Sequence, residues 1–190
     1  MTVLLLGLVV FLAAHSVRIV ADEWRTVQIT RIGVGPWKGI YSLVSVVGLA
    51  LIVWGYGETR GSVEMWQGPV WLRQVSSLLT LAAFILLAAA YIPGNRIQTA
   101  VGHPMTAGVK VWALAHLLTN ARPGDLILFG ALLVWAVLVF RAARRRDRAS
   151  GRRDARGSWP MTAVAAVAGA AAWAVFARYL HPMLIGVPAA

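Results

Sequence analysis

The sequence predicts an all-α fold, a polytopic membrane helix bundle of about six transmembrane helices, and three observations carry that prediction. The 190 residues are 59% hydrophobic and only 13% charged, where a soluble domain averages roughly 45–50% apolar and ~25% charged residues. Mean hydropathy is +0.70. The apolar residues gather in runs at Thr2–Arg18, Gly39–Tyr56, Val70–Ile92, Met105–Leu118, Leu126–Phe140 and Met161–Leu180, separated by turn signals. Crossing the hydrocarbon core takes ~20 apolar residues, with a usual range of roughly 17–25. Residues 1–190 therefore read as a single transmembrane domain, with no room for a sizeable soluble one.

The first run starts directly after Met1 without a basic n-region, so it reads as a retained helix and not as a cleaved signal peptide. Gly35-Pro36 precedes the second helix and Gly68-Pro69 the third, which ends at Pro93-Gly94-Asn95. His103-Pro104 opens the fourth, with proline at a tolerated first helical position. The fourth run is short, which suits a helix packed among others or a thinned bilayer. Asn120 to Asp125, containing Pro123-Gly124, makes a tight turn to the fifth. Ser158-Trp159-Pro160 opens the sixth and Pro182 closes it. The stretch Ala163–Ala172 is almost all alanine and glycine, a composition that lets helix backbones pack closely.

The absence of cysteine excludes disulfides, iron–sulfur clusters and thiolate metal sites. The net charge of +11 does not indicate nucleic acid, because most of it comes from one segment, 141–158. That segment holds Arg141, Arg144, Arg145, Arg146, Arg148, Arg152, Arg153 and Arg156 and reads as a basic cytoplasmic loop that sets orientation. Alternation then places Arg18, Arg25, Arg31, Lys38 and Arg96 on the same side, and only Arg60, Arg73, Arg122 and Arg178 opposite. A chain of six helices with both termini outside the cytoplasm obeys the basic-residue bias in every loop. Trp24, Trp37, Trp66, Trp71, Trp159 and Tyr91 lie near helix ends, where aromatic rings favour the headgroup level.

Four histidines are the candidates for chemistry: His15, His103, His116 and His181. His15 lies inside the first run and His116 inside the fourth, and an ionisable side chain within a span points to function. The structural alternative is a neutral imidazole bonded to a neighbouring helix. A pair on separate helices suits a b-type haem, whose iron takes an axial nitrogen from each side. Zinc wants four ligands, and no Glu or Asp falls at membrane depth in the runs. His116 lies thirteen residues beyond His103, ~20 Å along a continuous helix. Depth leaves the partner of His15 open between His103 and His116. Trp112 stands one turn from His116 on the same face, whereas His103 also suits a helix cap and His181 a surface position. Arg18 and Lys110 are cations within or beside the spans. Snorkelling accounts for either, and haem propionates account for both.

Several segments resemble the NnrU family. They include Phe11-Leu-Ala-Ala-His15-Ser-Val-Arg18-Ile, Trp37-Lys-Gly-Ile-Tyr41-Ser-Leu-Val-Ser and Val53-Trp-Gly-Tyr56. They continue through Ala90-Tyr-Ile-Pro93-Gly-Asn95-Arg, Gly102-His-Pro104-Met and Gly108-Val-Lys-Val-Trp112-Ala-Leu-Ala-His116-Leu-Leu-Thr-Asn120. Gly124-Asp125-Leu-Ile-Leu-Phe-Gly130 and His181-Pro-Met-Leu-Ile-Gly-Val187 complete the series. The resemblance implies a multi-pass protein of the bacterial inner (cytoplasmic) membrane, associated with nitrite and nitric oxide reductases in denitrification, and the basic-residue bias then makes both termini periplasmic. The chain is also similar to zeta-carotene isomerase, a haem b membrane enzyme whose axial histidines align with His15 and His116. That likeness favours His116 over His103. It departs at Ala113, where the isomerase branch has a cysteine. The functions implied are a haem b protein of redox or nitric-oxide metabolism, a cis–trans isomerase of a hydrophobic polyene, or a cofactor-free assembly factor.

Overall fold

The computed structural model describes residues 1–65, 68–151 and 156–187. Trp66 of the expected aromatic belt and Arg152 and Arg153 of the basic segment lie outside them. The described chain is all-α. Its helices are α1 Thr2–Val20, α2 Asp22–Ile32, α3 Val34–Thr59, α4 Trp71–Tyr91, α5 Arg96–Val101, α6 Pro104–Thr119, α7 Pro123–Ser150, α8 Trp159–Val175 and α9 His181–Ile185. A π-turn, Phe176–Leu180, joins α8 to α9.

Among the described residues, five helical stretches are long and apolar enough to cross a membrane: α1, α3, α4, α7 and Trp159–Ile185. The sixth apolar run is α6, whose 16 residues reach ~24 Å, short of the ~30 Å core. Large apolar side chains lie exposed along these helices, among them Val9, Val46, Val53, Leu78, Val134 and Val167. Lipid is the solvent in which such faces are stable, so the chain is a polytopic helical membrane protein.

The chain divides into two compact units, Met1–Trp66 with Ala121–Ala131, and Gln67–Asn120 with Leu132–Ala190. In the first, α1 packs along α3. Glycine allows the close approach: a Cβ at Gly48 would stand 2.8 Å from the backbone nitrogen of Phe11, and one at Gly7 would stand 2.6 Å from that of Ile52. Fully buried Leu4 lies in the same seam, its backbone against Gly55. In the second unit, α4 packs against both α6 and α8. The small-residue stretch of α8 is the contact surface, since Ala165 is buried and a Cβ at Gly169 would lie 2.5 Å from the Cα of Ile85.

Asn95 organises the corner after α4. It is fully buried, its Oδ1 accepts from the Gln98 N–H at 2.7 Å to cap α5, and its Nδ2 donates to the Ala89 carbonyl at 2.9 Å and to that of Ile92. The Ser158 N–H donates to the Gly94 carbonyl at 2.8 Å, and the Ser158 hydroxyl caps α8 through the Met161 N–H at 3.3 Å.

Several boundaries differ from the sequence reading. Helix α7 runs on to Ser150, so Arg141 to Arg148 are helical and not loop. Alanine and arginine are strong helix formers, and a helix does not stop where the apolar run stops. Gly35-Pro36 lies inside the first turn of α3, where the N–H that proline lacks would have no helical acceptor. Pro182 does not end the last helix. It occupies the first turn of α9, and Gly186, at φ 80°, ends the helix four residues later.

Candidate functional site

Two membrane histidines share one local design. On α1, the Nδ1 of His15 lies 2.8 Å from the carbonyl oxygen of Phe11, one turn earlier. The Phe11 ring stacks on the imidazole, with centroids 4.1 Å apart and planes 28° from parallel. Tyr41 of α3 approaches from the other helix at 5.2 Å. On α6, the Nδ1 of His116 lies 2.9 Å from the carbonyl oxygen of Trp112, and the Trp112 ring rests 4.7 Å from the imidazole. A carbonyl oxygen only accepts, so each Nδ1 carries the hydrogen and donates it. In the neutral form of such a ring the lone pair lies on Nε2. Fixing the tautomer through a backbone carbonyl is how metal-binding histidines are oriented.

His116 lines a pocket in the second unit together with Thr80, Phe84, Trp112, Trp173, Phe176 and His181. Its polar walls are largely spent. The Trp173 indole N–H donates to the Thr80 hydroxyl oxygen at 3.0 Å, and that hydroxyl donates to the Ser77 carbonyl at 2.9 Å. His181, expected at a surface position, is partly buried here. Its Nδ1 donates to the Val187 carbonyl at 2.8 Å, and its ring meets Phe176 edge-on at 6.0 Å. Helical spacing conceals this, because the π-turn between Phe176 and His181 shifts the register.

The other candidates fall elsewhere. His103 is the residue ahead of α6, but its side chain does not cap that helix. Its Nε2 stands 2.7 Å from Oδ2 of Asp147 on α7, and its ring lies edge-on to Phe140 at 6.2 Å. Lys110 places Nζ 3.6 Å from the centroid of the same Phe140 ring. Arg18 is exposed at the end of α1. Thus Lys110 and His103 share Phe140, while His116 sits with Trp112 and His181.

One buried pair was missed by the sequence reading, which took Asp125 as a turn residue and found no carboxylate at depth. Asp125 lies in the first turn of α7 and is only 5% exposed. Its Oδ1 accepts from the Tyr56 hydroxyl at 2.6 Å and its Oδ2 from the Arg122 N–H at 3.0 Å. A carboxylate three residues into a helix that reaches back to the preceding N–H is a capping signature, and it was legible in Arg122-Pro-Gly-Asp125.

The long apolar helices define a class: a multi-pass helical membrane protein. Within that class, the family model described as NnrU protein matches residues 3–189, and the chain belongs to the NnrU family. No curated protein and no solved structure matches it.

Proposed function

We propose that the protein binds haem b through Nε2 of His15 and Nε2 of His116 and serves redox or nitric-oxide metabolism beside denitrification enzymes. The observation that carries this reading is the shared tautomer, two histidines whose Nδ1–H groups are committed to carbonyls one turn back. Among the described residues, no three His, Asp or Glu side chains converge on a metal position. A bare ion would need such a cluster, whereas a porphyrin brings four nitrogens and asks the protein only for axial ones. The flanking rings of Phe11, Tyr41 and Trp112 suit a flat apolar macrocycle. Bound haem supplies one-electron chemistry.

Arg18 and Lys110 serve in this reading as countercharges for the propionates. The setting is the bacterial inner membrane, with both termini periplasmic. The test is the visible spectrum of the purified protein. A Soret band with bis-imidazole features is expected, lost or shifted in His15→Ala and in His116→Ala. Wild-type spectra from both variants would overturn the ligand assignment. A protein with no such band would instead be a cofactor-free assembly factor, and rapid turnover of a cis polyene would make it an isomerase.

A further inference from the structure

We propose that the pocket around His181 is a docking site for the ring of a neutral, membrane-dissolved hydroquinone, with a ring hydroxyl donating to Nε2 of His181. Shape comes first. Phe84, Trp112, Trp173 and Phe176 wall the cleft, which measures about 320 Å³ counted with the solvent at its mouth, about 30 Å³ of it open to the centre of a water molecule. That inner space takes a hydroxyl-bearing edge, since ~10–15 Å³ suffices for a water molecule. The mouth has room for the ring, and aromatic walls favour a planar guest.

Charge comes second. No lysine, arginine, aspartate or glutamate lines the cleft, which disfavours a phospholipid headgroup or a carboxylate. Hydrogen-bond polarity then selects the oxidation state. The Trp173 N–H and the Thr80 hydroxyl hydrogen are both committed within the protein, and the Nδ1–H groups of His116 and His181 point to carbonyls. These four donors are committed within the protein, and Nε2 of His181 is an acceptor on the wall. A hydroquinone donates two O–H groups. The corresponding quinone only accepts, and at this wall its oxygens would be buried unpaired. This site does not require haem: its acceptor belongs to His181, not to the proposed axial ligands.

The test is calorimetric titration of the purified full chain in nanodiscs of zwitterionic lipid, corrected against empty nanodiscs. The probes are trimethylhydroquinone, its dimethyl ether and trimethyl-p-benzoquinone, under anaerobic conditions. The hydroquinone should bind saturably at one site, and about fivefold more tightly than either other probe, the effect of one hydrogen bond. His181→Ala should bind all three alike, at the affinity of the ether. His181→Gln, which keeps an acceptor oxygen, should retain part of the preference. Phe84→Ala should weaken all three probes together. Equal binding of quinone and hydroquinone by the wild type, an undiminished preference in His181→Ala, or no saturable binding would each overturn the proposal. A missing Soret band would leave these outcomes unchanged, so the two proposals fail separately.

Discussion

The hydroxyl of Tyr56, near the end of α3, donates to the carboxylate of Asp125, in the first turn of α7, across 2.6 Å. The two residues are 69 positions apart in the chain. They tie the first unit together where the Arg122–Glu64 ion pair, at 3.2 Å, and the Met65 N–H to Ala121 carbonyl bond, at 3.0 Å, also close it. Hydrogen bonds to charged groups contribute about 1.5–3 kcal/mol each. Tyr56→Phe should therefore lower stability in detergent by about 2 kcal/mol. Asp125→Ala should cost more, because it also strands the Arg122 N–H. Thermal or denaturant unfolding of the three proteins checks the order.

Glycine at the α1–α3 seam gives a second prediction. Gly48→Ala places a methyl group 2.8 Å from the Phe11 backbone nitrogen, with no flexible atom able to yield. Overpacking of this kind costs about 1–3 kcal/mol. Gly57, on the same helix, has nothing within 4 Å of its Cβ position. Gly57→Ala should be neutral or stabilise by up to about 1 kcal/mol, since alanine is the better helix former. Unfolding curves showing equal effects would contradict the seam.

The proposed propionate partners differ in what already holds them. Lys110 is seated on the Phe140 ring, whereas Arg18 is exposed at a helix end. Arg18→Gln should weaken haem retention more than Lys110→Gln does, as read from the haem lost to apomyoglobin over time. His103→Gln, which breaks the contact with Asp147, should leave the Soret band in place.

Orientation is testable apart from any cofactor. A reporter fused after Asp147 should show cytoplasmic activity, and one fused after Ala190 should show periplasmic activity, because the arginines then obey the bias in every loop. Cytoplasmic activity at both positions would remove the sixth crossing.

The apolar helices were legible because lipid demands long uninterrupted runs, and α1, α4 and α6 begin and end within two residues of theirs. Helix α2 was not, since Asp22–Ile32 alternates charged and apolar residues without a clean face. The basic end of α7 was misread because arginine marks orientation and helix propensity alike. At the site, the i−4 pairs Phe11/His15 and Trp112/His116 could be read from spacing. His181 could not. Its place depends on a turn that no periodicity announces, and the bond from Tyr56 to Asp125 joins residues 69 positions apart, which no local pattern shows.

That turn has a genetic consequence. A π-turn is an α-helix carrying one surplus residue, and each residue turns a helix by ~100°. Deleting Ala177 should let Phe176–Leu180 close as ordinary α-helix with His181 still on its face, because the surplus residue is the one the wider turn absorbs. The chain after it would keep its composition, hydropathy and length to within one residue. A single-codon deletion within the turn would then leave His116 and His181 together, whereas one placed earlier in α8 would turn His181 away by ~100°.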